Sequence, residues 1–320
     1  MNCPARLLPL IAVFSATLLI GSSHAAIHPG DVVEVTTADT PLYHGNEALG
    51  KIAAGVRFKA ARVQEGWVAG FVPLGADAKK TTPGWVRITK LRLIEAASSI
   101  EKATAALKTL AVELVTDADG RVVEVNAAAS EIDDDDLIHV AALDASLETL
   151  DLSETKVTDR GLAYLSTLTR LEKLFLDETK VTDDGLRYLK PLVNLDVLAL
   201  NGTSITGRGL ASLKMLTKLR VLNLSETKIN DERLVYLAPF TNLETLALVN
   251  NGLTGKGFKH LSGLTNLIVI NFNKNPVIDE GLPHLAKMQR LRILRMYDTK
   301  ITDKGSDALK DKIGSLAIFK

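Results

Sequence analysis

From Leu147 onward a leucine returns every 24 residues, at Leu147, Leu171, Leu195, Leu219, Leu243, Leu267 and Leu291. With each of these counted as position 1, positions 4 and 6 are apolar too, from Leu150 and Leu152 to Ile270 and Phe272 and on to Leu294 and Met296. Alternate residues of an extended chain share a face, so this pair predicts a short strand buried on one side. Position 9 is Thr or Asn, and position 11 is Val, Ile or Leu. Position 13 is Asp in five units and Gly in two (Gly207, Gly255), and position 15 is Gly except at Arg233. Positions 16, 19 and 22 have helical spacing, and Thr-Asp pairs such as Thr158-Asp159 and Thr182-Asp183 stand before them as N-caps. Each unit therefore predicts strand, turn and helix. One unit alone cannot bury its leucines, whereas stacking buries them at roughly 1.5–3 kcal/mol per large side chain. The Thr or Asn at position 9 is expected to bond the backbone of the neighbouring turn.

The flanks follow other patterns. Val122, Val125, Ile132, Asp134, Leu137 and Val140 fit a degenerate first unit, one residue longer than the rest. Asp119-Gly120 predicts a hairpin turn between Val112-Glu113-Leu114 and Val122-Val123. Ile313, Leu316 and Ile318 predict a closing strand. Ile100, Ala103, Leu107 and Leu110 share one face of a helix within Glu95–Leu110. Before it, short alternating runs around Val32–Val35, Val56–Phe58, Gly66-Trp67-Val68 and Gly84-Trp85-Val86 predict a small β-barrel over residues 27–94. At the start, Arg6, the apolar run Leu7–Ile20 and Ser23-His24-Ala25 have the layout of a cleaved signal peptide over residues 1–25.

The pattern LxxLxLxx(N/T)xI with a Thr-Asp-x-Gly-Leu helix start resembles the leucine-rich-repeat family over about residues 123–320. It looks like the variant found in bacterial, especially planctomycete-type, secreted proteins. The resemblance implies an α/β leucine-rich-repeat solenoid, curved, with a parallel sheet on its concave face. The N-terminal runs resemble the bacterial Src-homology-3-like family, with its leading Val-x-Val strand, x-Gly-Trp-x-x-Val strand and closing Gly-Trp-Val. A longer loop from Pro73 to Pro83 interrupts that pattern. The expected organisation is a signal peptide (1–25), a barrel (27–94), a connecting helix and cap hairpin (95–121), and repeats with a C-terminal cap strand (122–320).

Composition narrows the chemistry. Lys plus Arg and Asp plus Glu both number 38, so no electrostatic footprint for nucleic acid exists. Loss of Arg6 with the signal would leave a charge of −1. Cys3, the single cysteine, precedes the apolar run and would leave too, which removes disulfides, thiol catalysis and cysteine metal sites. No GxSxG, HExxH, P-loop or post-strand GxGxxG occurs, so neither an enzyme nor a cofactor is expected. The position-13 carboxylates recur by register and suit caps rather than acid–base pairs. The run Asp133–Asp136 suits a helix start and lacks the order of a calcium loop. The position-18 column of His139, Tyr164, Tyr188, Tyr236, His260 and His284 reads as contact between neighbouring helices and not as a metal site. Barrel residues Trp67, Trp85, Tyr43 and Phe58 read as core.

Strand positions 3, 5 and 7 face away from the leucine core. They carry an apolar stripe (Val197, Val221, Val269, Ile293) with polar edges. A face of this kind suits a protein or peptide partner. The expected binding residues are Lys173, Phe175, Val197, Val221, Asn223, Asn271, Arg295 and Tyr297. The expected function is a non-enzymatic binding scaffold outside the cytoplasm, in the periplasm, the envelope or the medium. Its membrane contact is confined to the signal peptide before cleavage. Two other readings stay open: envelope attachment, with the barrel on peptidoglycan or wall peptide, and an accessory enzyme subunit.

Overall fold

A strand of three residues offers a core only its middle side chain, and position 4 supplies that side chain in unit after unit. The computed structural model describes residues 32–35, 40–44, 47–54, 56–60, 62–64, 67–73, 81–87, 91–95, 100–143 and 146–320. The signal segment, Cys3 and residues 74–80 of the interrupting loop lie outside these residues. By internal contacts the chain divides into Met1–Ala105 and Ala106–Lys320.

The first unit contains eight strands among the described residues: β1 (Val32–Val35), β2 (Thr40–His44), β3 (Glu47–Ile52), β4 (Arg57–Lys59), β5 (Arg62–Gln64), β6 (Trp67–Pro73), β7 (Thr81–Arg87) and β8 (Leu91–Glu95). They form two antiparallel sheets, β3-β2-β7-β6-β5 and β4-β1-β8. Alternating apolar residues of these strands, Val33, Val35, Leu42, Ile52, Phe58, Val68, Val72 and Val86, make one buried cluster. Trp67 is buried and meets the half-buried Tyr43 edge-on, ring centres 5.3 Å apart. The helix α1 (Ile100–Thr109) spans the division, with Ala103 and Leu107 buried and Ile100 exposed.

The second unit is the repeat array. After β9 (Glu113–Thr116) come β10 (Val122–Asn126), β11 (Thr149–Asp151), β12 (Lys173–Phe175), β13 (Val197–Ala199), β14 (Val221–Asn223), β15 (Thr245–Ala247), β16 (Val269–Asn271), β17 (Ile293–Arg295) and β18 (Ala317–Phe319). They form one sheet in chain order, parallel from β10 to β18, with β9 antiparallel on β10. Leu150, Leu174, Leu198, Leu222, Leu246, Ile270, Leu294 and Ile318 pair across it in strict register. The first seven are at most 1% exposed. Phe258 and Phe272 stack behind them with ring centres 4.3 Å apart. No helix among the described residues is long and apolar enough to cross a membrane.

The return side departs from the expected α-helices. True α-helices occur at the two ends, in α2 (Leu137–Ala141), α3 (Asp159–Leu165) and α4 (Asp303–Lys310). Between them stand 3₁₀ helices at Gly185–Leu189, Arg208–Leu213, Asp231–Leu237, Phe258–His260 and Asp279–Leu285. The reason lies in the spacing itself. Positions 16, 19 and 22 recur by three, and residues three apart align in a 3₁₀ helix of three residues per turn. So short an element gains little from α-helical cooperativity.

The position-13 aspartates also act differently from the expectation of a cap within their own unit. The threonine alone does that: the Arg160 N–H donates to Thr158 Oγ1 and the Asp184 N–H to Thr182 Oγ1. The aspartate reaches forward to the next unit. Asp183 accepts from Thr206 Oγ1 (2.5 Å) and from the backbone N–H groups of Thr206 (3.1 Å), Gly207 (3.2 Å) and Gly209 (2.8 Å). Asp134, Asp159, Asp231 and Asp279 hold Thr158, Thr182, Thr254 and Thr302 in the same way. Position-15 glycine makes room for this clamp, because a Cβ on Gly161, Gly185 or Gly305 would strike the preceding aspartate side chain. Where position 13 is Gly207, the next unit has Asn230, which caps itself through the Arg233 N–H, and carries Arg233 in place of glycine.

Position 9 needs a second correction. Thr155, Thr179, Thr203 and Thr227 donate to the carbonyl three residues earlier in their own unit, not to the turn next door. Of these hydroxyls only that of Thr227 also meets the next unit, and there it bonds the Asn251 side-chain oxygen (3.0 Å) and not backbone. The longer amides of Asn251 and Asn275 do cross, donating to Leu224 O and Leu248 O of the preceding unit.

Candidate functional site

The outward positions of the parallel strands make a continuous face. Position 3 gives the column Thr149, Lys173, Val197, Val221, Thr245, Val269 and Ile293. Position 5 gives Asp151, Phe175, Ala199, Asn223, Ala247, Asn271, Arg295 and Phe319. All eight expected binding residues lie on or directly beyond these strands. Lys173, Arg295 and Tyr297 are exposed; Phe175, Val197, Val221, Asn223 and Asn271 are half-buried.

The polar members divide into two kinds. Strand ends leave backbone N–H groups that need acceptors. The Asn223 and Asn271 side chains supply them, taking the Ser225 N–H at 3.0 Å and the Asn273 N–H at 3.1 Å. Asp151 takes the Ser153 N–H (2.9 Å) in the same manner. One unit further along each strand end, Asp177 accepts from the Asn201 N–H at 2.6 Å and Asn273 from the Tyr297 N–H at 2.8 Å. These oxygens are committed to the array. The side chains of Lys173, Arg295 and Tyr297 have no hydrogen-bonding or ionic partner among the described residues, so their polar ends face solvent. Phe175 stands between Asp151 and the nearly covered Ala199, and Ala247 follows two strands on, so the middle of the column is low.

Two features escaped the sequence reading. Phe319 is 46% exposed beside Arg295, close to Tyr297, which is 49% exposed. Its signal was present, since Ile318 lies one period after Leu294 and the next residue must face outward. The second feature is a polar groove of about 450 Å³ along the leading ends of the strands, lined by Asp196, Lys218, Arg220, Glu244, Arg290 and their neighbours. Arg220 grips Asp196 through two hydrogen bonds (2.6 and 2.9 Å), Lys218 donates to Asn194 (2.7 Å), and Arg290 donates to Asn266 (2.8 Å). Its cations are thus already engaged within the array.

Electrostatics single out one end of the face. Burial pushes the Asp177 carboxyl above the ordinary carboxylate range, the Asn201 N–H pulls it back, and the negative charges of Asp151 and Glu178 push it up further. On the return side, burial lifts the Tyr164 phenol to about 12. Of the position-18 column, Tyr164 is buried, while His260 is half-buried and His284 exposed. Among the described residues no group of three or more His, Cys, Asp or Glu could hold a metal ion. In the run Asp133–Asp136, Asp134 clamps Thr158 and Gly161, Asp135 meets Arg160, and Asp133 and Asp136 accept from backbone N–H groups within the run.

A family model described as Leucine Rich repeat matches residues 144–166 and 216–238. The chain therefore carries leucine-rich repeats, stacked as a solenoid with a parallel sheet. A search of curated proteins finds no match. Among solved structures, an internalin (inlF) from Listeria monocytogenes is similar, at 23% identity with a TM-score of 0.49, over 69% of this chain and 68% of that one.

Proposed function

We propose that the protein is a non-enzymatic scaffold that binds a protein or peptide on the outward face of its repeat sheet. One observation carries the reading. Lys173 towards one end of that face and Arg295 and Tyr297 towards the other have no side-chain partner among the described residues, and Phe175 is half-buried on the strand of Lys173, while neighbouring polar side chains are committed to the array. Exposed aromatic and arginine side chains are the residue types that dominate binding energy at interfaces. The scaffold works outside the cytoplasm in this reading, supported by the signal-like start Arg6, Leu7–Ile20 and Ser23-His24-Ala25. The N-terminal unit is a Src-homology-3-like barrel over 27–94, supported by two antiparallel sheets around a shared apolar cluster and by the recurrent Gly-Trp-Val runs. The repeats occupy 122–320, and the parent type is bacterial, close to the planctomycete variant.

The test uses the full chain. Phe175→Ala combined with Arg295→Ala should cut capture of partners from a native envelope extract at least tenfold and leave the melting curve unchanged. Equal capture by the double variant would remove the face from the account.

A further inference from the structure

Charge on the outward face is sorted along the array. At positions 3, 5 and 7 of β10 to β12, the charged residues are Glu124, Asp151 and Asp177 against the single cation Lys173. The same positions of β13 to β15 hold Val197, Ala199, Asn201, Val221, Asn223, Ser225, Thr245, Ala247 and Val249, and none is charged. From β16 to β18 the only charge at these positions is Arg295, with Tyr297 and Phe319 beside it. Asp151 and Asp177 each give one carboxylate oxygen to a backbone N–H, and neither pairs with a cation among the described residues. Arg295 has no anionic partner among the described residues. Burial first, and then the neighbouring Asp151 charge, hold the Asp177 carboxyl above the ordinary carboxylate range.

We infer that this face takes one extended peptide segment, laid across the strands, with a cationic side chain over Asp151 and Asp177 and a carboxylate over Arg295. The inference rests on the face being the binding surface. Geometry sets the spacing. Five to six strand intervals separate the two ends, or roughly 24–29 Å at the usual interstrand distance, which an extended chain covers in about seven to nine residues. Three-residue strands give a face only about 10 Å wide, which suits a single chain. The uncharged middle, lowered by Ala199 and Ala247, suits small or apolar residues between the two charges.

The probe is a phage-displayed library of random dodecapeptides panned on the full chain. Enriched clones should carry Lys or Arg seven to nine residues from Asp or Glu. A synthetic peptide of that consensus should bind at least tenfold more weakly to Arg295→Glu, and again to Asp151→Asn combined with Asp177→Asn. Replacing the peptide's acidic residue by Lys should restore binding to Arg295→Glu, a result that a misfolded variant cannot produce. Enrichment without this spacing, or binding indifferent to Arg295→Glu, overturns the inference and leaves the face as a binding surface. A dimer of the chain that dissociates in Arg295→Glu also overturns it, because the two ends would then serve a second copy. Enrichment no better than on a Phe175→Ala, Tyr297→Ala variant removes the binding face itself.

Discussion

Asp231 joins two repeats through four hydrogen bonds, and replacing it tests how the array is held together. Its carboxylate accepts from Thr254 N (2.9 Å), Thr254 Oγ1 (2.8 Å), Gly255 N (3.2 Å) and Gly257 N (2.8 Å). Gly255 and Gly257 are buried, so Asp231→Ala strands two backbone donors away from water. Each bond to a charged acceptor is worth about 1.5–3 kcal/mol alone, and a stranded buried donor costs about 1–3 kcal/mol. Asp231 is itself half-exposed and its bonds are coupled, so the four do not add. Asp231→Ala should cost about 3–4 kcal/mol, and Asp231→Asn, which keeps one acceptor oxygen, about half that. Thr254→Val removes only the hydroxyl partner and should cost about 1 kcal/mol, with coupling to Asp231→Ala near 1 kcal/mol. Urea unfolding is best followed by far-UV circular dichroism, because Trp67 and Trp85, the only tryptophans, lie outside the array. Amide exchange at Gly257 gives the local readout and should lose protection in Asp231→Ala. A loss under about 0.5 kcal/mol, with Gly257 still protected, would refute the clamp.

Three further outcomes follow from the same geometry. Gly209→Ala places a Cβ 2.5 Å from the Asp183 carbonyl oxygen and should cost about 3 kcal/mol by urea unfolding, whereas Gly314→Ala, with nothing within 4 Å, should be nearly neutral. Glu226 sits at φ 53°, a conformation that asparagine accepts better, so Glu226→Asn should raise the array's stability by about 0.5–1 kcal/mol; no gain in urea midpoint would contradict the strain. Asp177 is an acid held above its ordinary range, so its contribution favours folding while it is protonated and is lost as pH rises through the elevated value; Asp177→Asn should therefore raise the urea midpoint at pH 7 and lose that advantage below about pH 4.

The strands and their register were legible because period and alternation coincide. Once Leu150 and Leu174 are one period apart, a parallel ladder is the only pairing that buries both. The return side was legible as an apolar ridge but not as 3₁₀, since over two turns a period of three and one of 3.6 place apolar residues at nearly the same positions. On the face, the outward placement of Phe175, Arg295 and Tyr297 is legible because outward positions follow from inward ones. Asn223 and Asn271 follow from the same alternation, but the use of their oxygens by backbone donors at the strand ends appears only when the turn is built. Phe319 is less legible because its strand lacks most of the repeat pattern, and only its pairing with β17 sets it beside Arg295.

The clamp shows what a one-unit consensus hides. Asp at position 13 and Thr at position 12 look like neighbours in a single cap, yet each aspartate belongs to the following unit's threonine. The seven units carry the evidence themselves. After Asp134, Asp159, Asp183, Asp231 and Asp279 comes Thr at the next position 12, whereas after Gly207 and Gly255 come Asn230 and Ile278. A cap confined to one unit would not tie position 12 to the unit before it. These bonds run between units on the return side, so the stack does not rest on the strand face alone. Its position 5 ranges from Asp through Phe, Ala and Asn to Arg while the core positions beneath stay apolar. Asp151 and Asp177 each take a backbone N–H, yet burial raises the Asp177 carboxyl, so at neutral pH its charge opposes folding. A half-buried charge that weakens the fold is best explained by what it holds. Asp177→Asn should therefore move stability and peptide affinity in opposite directions, and a variant that gained both would separate the acidic end from binding altogether.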